Sequence, residues 1–381
     1  MTIDDMADKR KLGIYIHIPF CRSKCLYCDF CSKPTRDEER ISIYVERLCE
    51  DIRSCKTDID YAPADTVYFG GGTPTLMTGE QFKKILLAVS ERFGICDGAE
   101  ISSECNPKTV DPEKLISMRA AGINRLSIGM QSGIDTELHS LGRAHKLSDV
   151  EDTVRMARDA GFDNISLDIM YGIPNQTTES LRETLCAATA LSPEHLSLYA
   201  LKIEEGTPFF KMQDKLSLPD DDATADMYLY ICEHLARCGY GKYEISNFAM
   251  AGFESRHNLK YWQYDDYLGF GASAHSFTGG RRVENSRDVD AYILGKDIAR
   301  SVTEIGDIES MNEYVMLSMR LTRGVELSAF KERFGVDFSC EFGEKFKKFS
   351  PEFVTLENGR CAFTQKGFLV SNYILSECLE F

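Results

Sequence analysis

Four cysteines fall within eleven residues: Cys21, Cys25, Cys28 and Cys31. The first three have the spacing Cys-x3-Cys-x2-Cys and directly follow an apolar run, Gly13-Ile-Tyr-Ile-His-Ile-Pro-Phe20. Three thiolates in one short loop can hold three irons of a [4Fe–4S] cube and leave the fourth iron open to a small molecule. Zinc is the competing reading, but structural zinc usually takes four ligands, often from two paired knuckles, and no second knuckle is present in the sequence. A loop carrying Arg22, Ser23 and Lys24 is a poor place for thiols that are merely buried. The chain has 14 cysteines in all, and the others are scattered and read as small buried hydrophobes.

Further polar residues recur at regular places. Phe69-Gly-Gly-Gly-Thr-Pro74 offers a glycine turn that permits close backbone approach to a ligand, although glycine turns are common. Its pattern is not the helix-opening G-x-G-x-x-G of a dinucleotide site. Glu104, Gln131, Asp168 and Tyr199 each fall at or near the C-terminal end of a strand-like run. Taken singly, such carboxylates are more often solvated. The only tryptophan lies in His257-Asn-Leu-Lys-Tyr-Trp262, where a histidine among aromatics is more often a core residue than a ligand. A neutral imidazole beside flat aromatic surfaces would nevertheless suit a haem iron.

The elements that must position these residues alternate. Strands are expected at Gly13 to Ile18, Asp65 to Phe69, Ala99 to Glu104, Arg125 to Gly129, Asn164 to Met170 and Leu196 to Ala200. Between them, helical periodicity covers Ile41 to Ile52, Gly79 to Phe93, Asp111 to Ala121, Leu147 to Ala160 and Thr178 to Leu191. Six strand-then-helix units imply a parallel sheet with crossover helices. Polar residues at the ends of many strands favour a partial (β/α)6 barrel over a doubly wound sheet, which gathers its site at one switch point. Residues 206 to 300 read as irregular and aromatic-rich, with one helix near Asp222 to Cys238. Helices at Ser310 to Thr322 and Ser328 to Arg333, an Asn358-Gly359 hairpin and a last helix from Gln365 to Cys378 suggest a small, mostly helical, winged-helix-like end. The expected division is an α/β barrel core over 1–205, an extension over 206–305 and a C-terminal domain over 306–381.

Composition bounds the function. Of 381 residues, Lys+Arg number 44 and Asp+Glu 60, a net charge of −16. That balance argues against a nucleic-acid partner, which needs a basic face. No apolar run approaches the roughly 20 residues of a membrane span, so at most peripheral membrane contact is expected. The start of the chain through Lys11 is polar and shows no signal-type segment. A cytoplasmic protein, monomer or homodimer, is the expectation.

The motif set as a whole resembles the HemN/HemW branch of the radical S-adenosylmethionine (SAM) superfamily. The resemblance rests on Tyr15-Ile-His-Ile-Pro-Phe-Cys21, the Cys21-x3-Cys25-x2-Cys28 loop, Phe69-Gly-Gly-Gly-Thr-Pro74, Glu104-Cys-Asn-Pro107 and Ser127-Ile-Gly-Met-Gln-Ser132. Asp168-x-x-Tyr-Gly-Ile-Pro174, Tyr243-Glu-Ile-Ser-Asn-Phe248, His257-Asn-x-x-Tyr-Trp262 and Gly269-Phe-Gly-Ala-x-Ala-His-Ser276 extend it over roughly residues 12 to 375. It implies a [4Fe–4S] cluster on Cys21, Cys25 and Cys28. It implies SAM held by Tyr15, Gly71, Gly72, Thr73, Glu104, Gln131, Arg143 and Asp168, with Tyr27 packed on the adenine. Arg143 suits the methionine carboxylate, and Glu104 or Asp168 the ribose or amino group. Haem with His257 as its ligand is a further implication.

Two functions fit that branch. One is a haem chaperone that passes haem to acceptor apoproteins, for which respiratory haemoproteins are the candidates. The other is an oxygen-independent coproporphyrinogen III dehydrogenase that oxidatively decarboxylates propionates to vinyls. The dehydrogenases resemble Cys-x3-Cys-x2-Cys-x-Cys, whereas here that fourth position is Phe30 and Cys31 comes one residue late. The dehydrogenases also carry a longer arm before the first strand. Both departures favour the chaperone, and Cys31 reads as a spare thiol ahead of a slipped equivalent.

Overall fold

The computed structural model describes residues 9–295 and 300–380. Most of the polar chain start discussed above, residues 1–8, lies outside the described residues. Strands and helices alternate as expected: β1 Gly13–Ile18, α1 Glu38–Ser54, β2 Ala64–Gly71, α2 Gly79–Phe93, β3 Ile95–Cys105 and α3 Pro112–Ala121. The series continues with β4 Arg125–Gln131, α4 Leu147–Asp159, β5 Ile165–Tyr171, α5 Thr178–Ala190 and β6 His195–Ala200. β1 to β6 pair side by side in chain order, all parallel. This is the six-stranded partial barrel.

Local chemistry sets the helix ends. The Thr78 hydroxyl accepts from the Gln81 amide while the Gln81 side chain accepts from the Thr78 N–H, a reciprocal cap on α2. Asp111 caps α3 with Pro112 in its first turn, and Gly122 at φ +116° ends it in the left-handed region. Two-residue alternation then sorts the strands. Ile14, Ile16, Val67, Phe69, Leu126, Ile128, Leu167 and Ile169 are buried in one continuous core with apolar residues of the helices, among them Leu48, Phe82 and Leu115. Tyr68, Glu104, Ser127, Asp168 and Ser197 take the other face and line the interior.

The expectation of an irregular stretch over 206 to 300 is corrected. After α6, Asp221–Arg237, the chain extends the main sheet at both edges. β7, Asn247–Ala249, pairs antiparallel with β6. β8, Tyr267–Phe270, lies parallel to β1 on its free side. β9 His275–Thr278, β10 Arg281–Asn285 and β11 Arg300–Glu304 continue outward as antiparallel neighbours. Among the described residues the sheet has twelve strands. β7 and β8 are three and four residues long and β9 to β11 are mostly polar, so none carries the longer apolar run that marks a buried strand. The Gly279-Gly280 turn between β9 and β10, with both φ values positive (58° and 76°), was a hairpin signal passed over.

Between β7 and β8 the helix α7, Arg256–Trp262, closes the N-terminal end of the barrel. The Glu100 carboxylate accepts from the amides of Arg256 (3.0 Å) and His257 (3.1 Å), the first two of α7. His257 Nδ1 shares a hydrogen bond with Thr66 Oγ1 at 2.8 Å. Buried Lys260 pairs with Asp65 at 2.7 Å, and its stem runs over Gly13, where an added Cβ would stand 2.7 Å from its Cδ.

The C-terminal part holds helices Asp307–Ser318 and Leu327–Phe334 and a three-stranded sheet of Val325–Glu326, Val354–Glu357 and Arg360–Phe363. The Asn358-Gly359 hairpin is present, with both residues at positive φ. The last helix is not continuous. It is Gln365–Leu369 and Ser371–Cys378, broken where the Ser371 hydroxyl donates to the Phe368 carbonyl at 2.9 Å.

Glu100→Ala should leave two amides of α7 without their acceptor inside the barrel. Equilibrium denaturation should show a loss of about 1–3 kcal/mol. An unchanged midpoint would mean that this contact does not hold α7 in place.

Candidate functional site

A cavity of about 310 Å3 opens at the C-terminal ends of the strands. Cys21, Cys25 and Cys28 all line it, together with Tyr27 and the glycine turn. The cysteine loop is seated by backbone. Phe20–Cys21 pairs with Lys33–Pro34 and closes the loop on itself. The Gly72 amide donates to the Ile18 carbonyl at 2.9 Å. A Cβ on Gly72 would lie 2.5 Å from the Phe20 carbonyl oxygen, so any larger residue there must displace the loop. Thr73 Oγ1 lies 3.6 Å from Cys21 Sγ, and Arg143 Nη1 reaches Cys25 Sγ at 3.4 Å. Burial pushes the Cys28 thiol up to about 11, so loading a metal there releases a proton.

Opposite the cysteines stands the polar wall. Glu104 accepts from the Gly71 amide at 3.1 Å and from Tyr68 Oη at 3.4 Å. Burial, reinforced by Asp168, raises its carboxyl to about 8. Ser127 Oγ lies 2.9 and 3.1 Å from the two oxygens of Asp168, which burial also raises above the usual carboxylate range. Gln131 sits at φ +65°, at a register shift between Gly129 and Gln131. A non-glycine residue there costs of order 1–3 kcal/mol and is tolerated where the surroundings over-determine it. The Gln131 amide and the Arg143 guanidinium both lie over Gly129, where a Cβ would come within 2.8 and 3.0 Å of them.

Of the residues expected from sequence, Cys21, Cys25, Cys28, Tyr27, Gly71, Gly72, Thr73, Glu104, Gln131, Arg143 and Asp168 converge on this one cavity. Tyr15 does not reach its wall. It stacks behind Tyr68, with ring centroids 6.3 Å apart, and its hydroxyl bonds His17 at 3.0 Å. Cys31 also faces away, its thiol toward the Arg287 carbonyl at 3.6 Å, while Phe30 stands at the mouth, 65% exposed. The space freed by Gly71 and Gly72 is taken up by His17 and Phe20 rather than left for a guest.

The structure places His257, the expected haem ligand, away from the cavity wall. It is 1% exposed and lies in α7 at the far end of the barrel. Nδ1 is engaged by Thr66, and Nε2 bonds Tyr261 Oη at 2.9 Å. Burial lowers its basicity to about 3, so the ring is neutral, yet neither nitrogen is free for iron. Sequence reasoning missed Tyr68, Arg125, Ser127, Ser197 and Asn258, which also line the cavity. The polar alternation Arg125, Ser127, Gly129, Gln131 along β4 was the available signal.

Comparison with known proteins bears on this geometry. Residues 15–186 match the radical SAM superfamily and residues 307–370 the HemN C-terminal domain. The chain is 36% identical over 374 residues to a Bacillus subtilis protein named heme chaperone HemW, covering 96% of this chain and 98% of that one. The chain belongs to the HemW family. An Escherichia coli HemW is 37% identical over 303 residues, 74% of this chain and 79% of its own. The solved structure of Escherichia coli coproporphyrinogen III oxidase HemN, a radical SAM enzyme, superposes with a TM-score of 0.81 at 23% identity, over 98% of this chain and 91% of that one, and shares the fold.

A HemW-family radical SAM protein carries a [4Fe–4S] cluster and SAM. The residues present fit both. Three thiols share one cavity with the half-buried Arg143, whose buried Nε has no hydrogen-bond partner. Among the described residues no three His, Cys, Asp or Glu side chains converge as they would on one metal ion.

Cys25→Ser should remove one iron ligand and the partner of Arg143. Anaerobically reconstituted protein should then lose the broad iron–sulfur absorbance, and full retention would reject Cys25 as a ligand. The raised Glu104 carboxyl sets a pH dependence. Its folded value near 8 exceeds the ordinary 4.5, so the folded state holds the proton more tightly. Stability of the cluster-free protein should therefore fall as pH rises from about 4.5 to about 8. Glu104→Gln should flatten that slope in denaturation at several pH values, and an unaltered slope would place its origin elsewhere.

Proposed function

We propose that this protein is a haem chaperone that binds haem and hands it to acceptor apoproteins, respiratory haemoproteins among them, in the cytoplasm. The observation that carries the reading is end-to-end similarity to proteins named heme chaperone HemW, from Bacillus subtilis and from Lactococcus lactis, where identity is 33% over 370 residues. Phe30 in place of a fourth loop cysteine supports it. Among the described residues no helix is long and apolar enough to cross a membrane, in keeping with a chaperone that meets membranes only peripherally.

In this reading Cys21, Cys25 and Cys28 would hold the cluster, which would supply a binding position for SAM and an electron. Arg143 positions the loop through Cys25 and the Gly129 carbonyl (3.1 Å), and offers its Nε to the SAM carboxylate. Asp168, fixed by Ser127, is the acceptor for ribose hydroxyls, and Glu104 orients the amino end from the glycine turn. Tyr27 packs on the adenine, and Tyr15 acts behind Tyr68. Working units are the core over 1–205, the extension over 206–305 and the C-terminal domain over 306–381, as a monomer or homodimer. Haem does not use His257 in this arrangement, because α7 would have to leave the barrel to present it.

The test is anaerobic turnover. Cluster-loaded protein with verified SAM binding receives coproporphyrinogen III, SAM and a strong reductant. No decarboxylated product is expected. Protoporphyrinogen in excess over the protein would overturn the chaperone and establish a dehydrogenase.

A further inference from the structure

Arg125 opens β4 at the inner end of the barrel and is 2% exposed, the largest fully buried side chain among the described residues. It lines the cavity, and its Nε has no hydrogen-bond partner. The more buried arginine ion pairs among the described residues belong to Arg158, Arg282 and Arg300, not to Arg125. The carboxylate whose charge it favours through space, Asp168, is hydrogen-bonded to Ser127 instead. Its register partner on β3, Ser102, carries a second buried oxygen with no partner.

A guanidinium cannot shed its charge as a lysine can. Buried and unpaired, it is costly to keep, and buried charges are as a rule paired. Among the described residues no carboxylate is in ion-pair contact with it, and Asp168 acts on it only through space. Glu104 and Asp168 are both held toward their neutral forms by burial. Arg143 serves the opposite level, bonded to Cys25 and to Gly129. Gly129 is four residues along the strand from Arg125, about 13 Å at strand rise. Two arginines at two depths call for two anionic groups.

We propose that Arg125 forms an anion subsite at the inner end of the barrel, which takes a carboxylate of a bound guest. The inference rests in part on the haem reading, because two carboxylate sources are at hand: a haem propionate and the methionine end of SAM. The propionate is favoured, since Arg143 already stands beside the cysteine loop for SAM.

The experiment compares each ligand with its carboxylate-free form on cluster-loaded protein. Haem and haem dimethyl ester are titrated by absorbance, and SAM and decarboxylated SAM by equilibrium dialysis. In wild type, removing the guest's carboxylates should weaken haem binding at least about tenfold, and in Arg125→Gln that difference should vanish, with Arg125→Lys retaining part of it. The same coupling seen with SAM instead would assign the subsite to SAM. No coupling with either ligand, in an Arg125→Gln protein of normal cluster content and melting temperature, would overturn the proposal. Should Arg125→Gln not fold, the wild type still decides, because equal affinity for the acid and carboxylate-free forms of both ligands overturns it. If wild type binds no haem in either form, the chaperone reading fails while the SAM arm still tests Arg125.

Discussion

The pairing of β1 with β2 runs to its last residue, Ile18 against Gly71, and the site depends on it. One more backbone bond, Gly72 to Ile18, draws the glycine turn under the start of the cysteine loop. At that crossing there is no room for a side chain, since the Phe20 carbonyl occupies it. Thr73 is thereby brought to Cys21, and Glu104 to the Gly71 amide. The glycines do their work on the protein itself. They allow two loops from neighbouring strands to share one small volume, so that thiols and polar wall face each other.

How much of this was legible follows from the range of each interaction. The parallel core was readable because each strand carries its own apolar run and each helix its own cap, as at Thr78 and Asp111. The cysteine loop was readable because its ligands are consecutive in chain. The edge strands were not, because Tyr15 faces Gly269 across a sequence gap that no local pattern spans. Arg125 was overlooked for a similar reason. An arginine at a strand start ordinarily marks a solvated flank, and only closure of the barrel turns that flank inward.

The motif around His257 shows how residue types alone mislead. A histidine among Tyr261, Trp262 and Tyr267 has the composition of a haem pocket. In the structure the same composition builds a plug: Glu100 caps the helix, Thr66 and Tyr261 take the imidazole, and Lys260 pairs with Asp65. Ligand and structural histidines differ in whether a ring nitrogen is left over, which a sequence does not display. Asn258 of the same helix lines the cavity, so the motif still shapes the space that a guest can enter.

That plug makes the barrel a sack rather than a tunnel. With α7 across the far end, the way from the cavity mouth to the inner end runs past the cysteines. Occupancy then has an order, last in and first out. Whatever sits at the mouth acts as a stopper for what lies beneath. Release from such a vessel asks only that the mouth be cleared, with no change in the inner contacts.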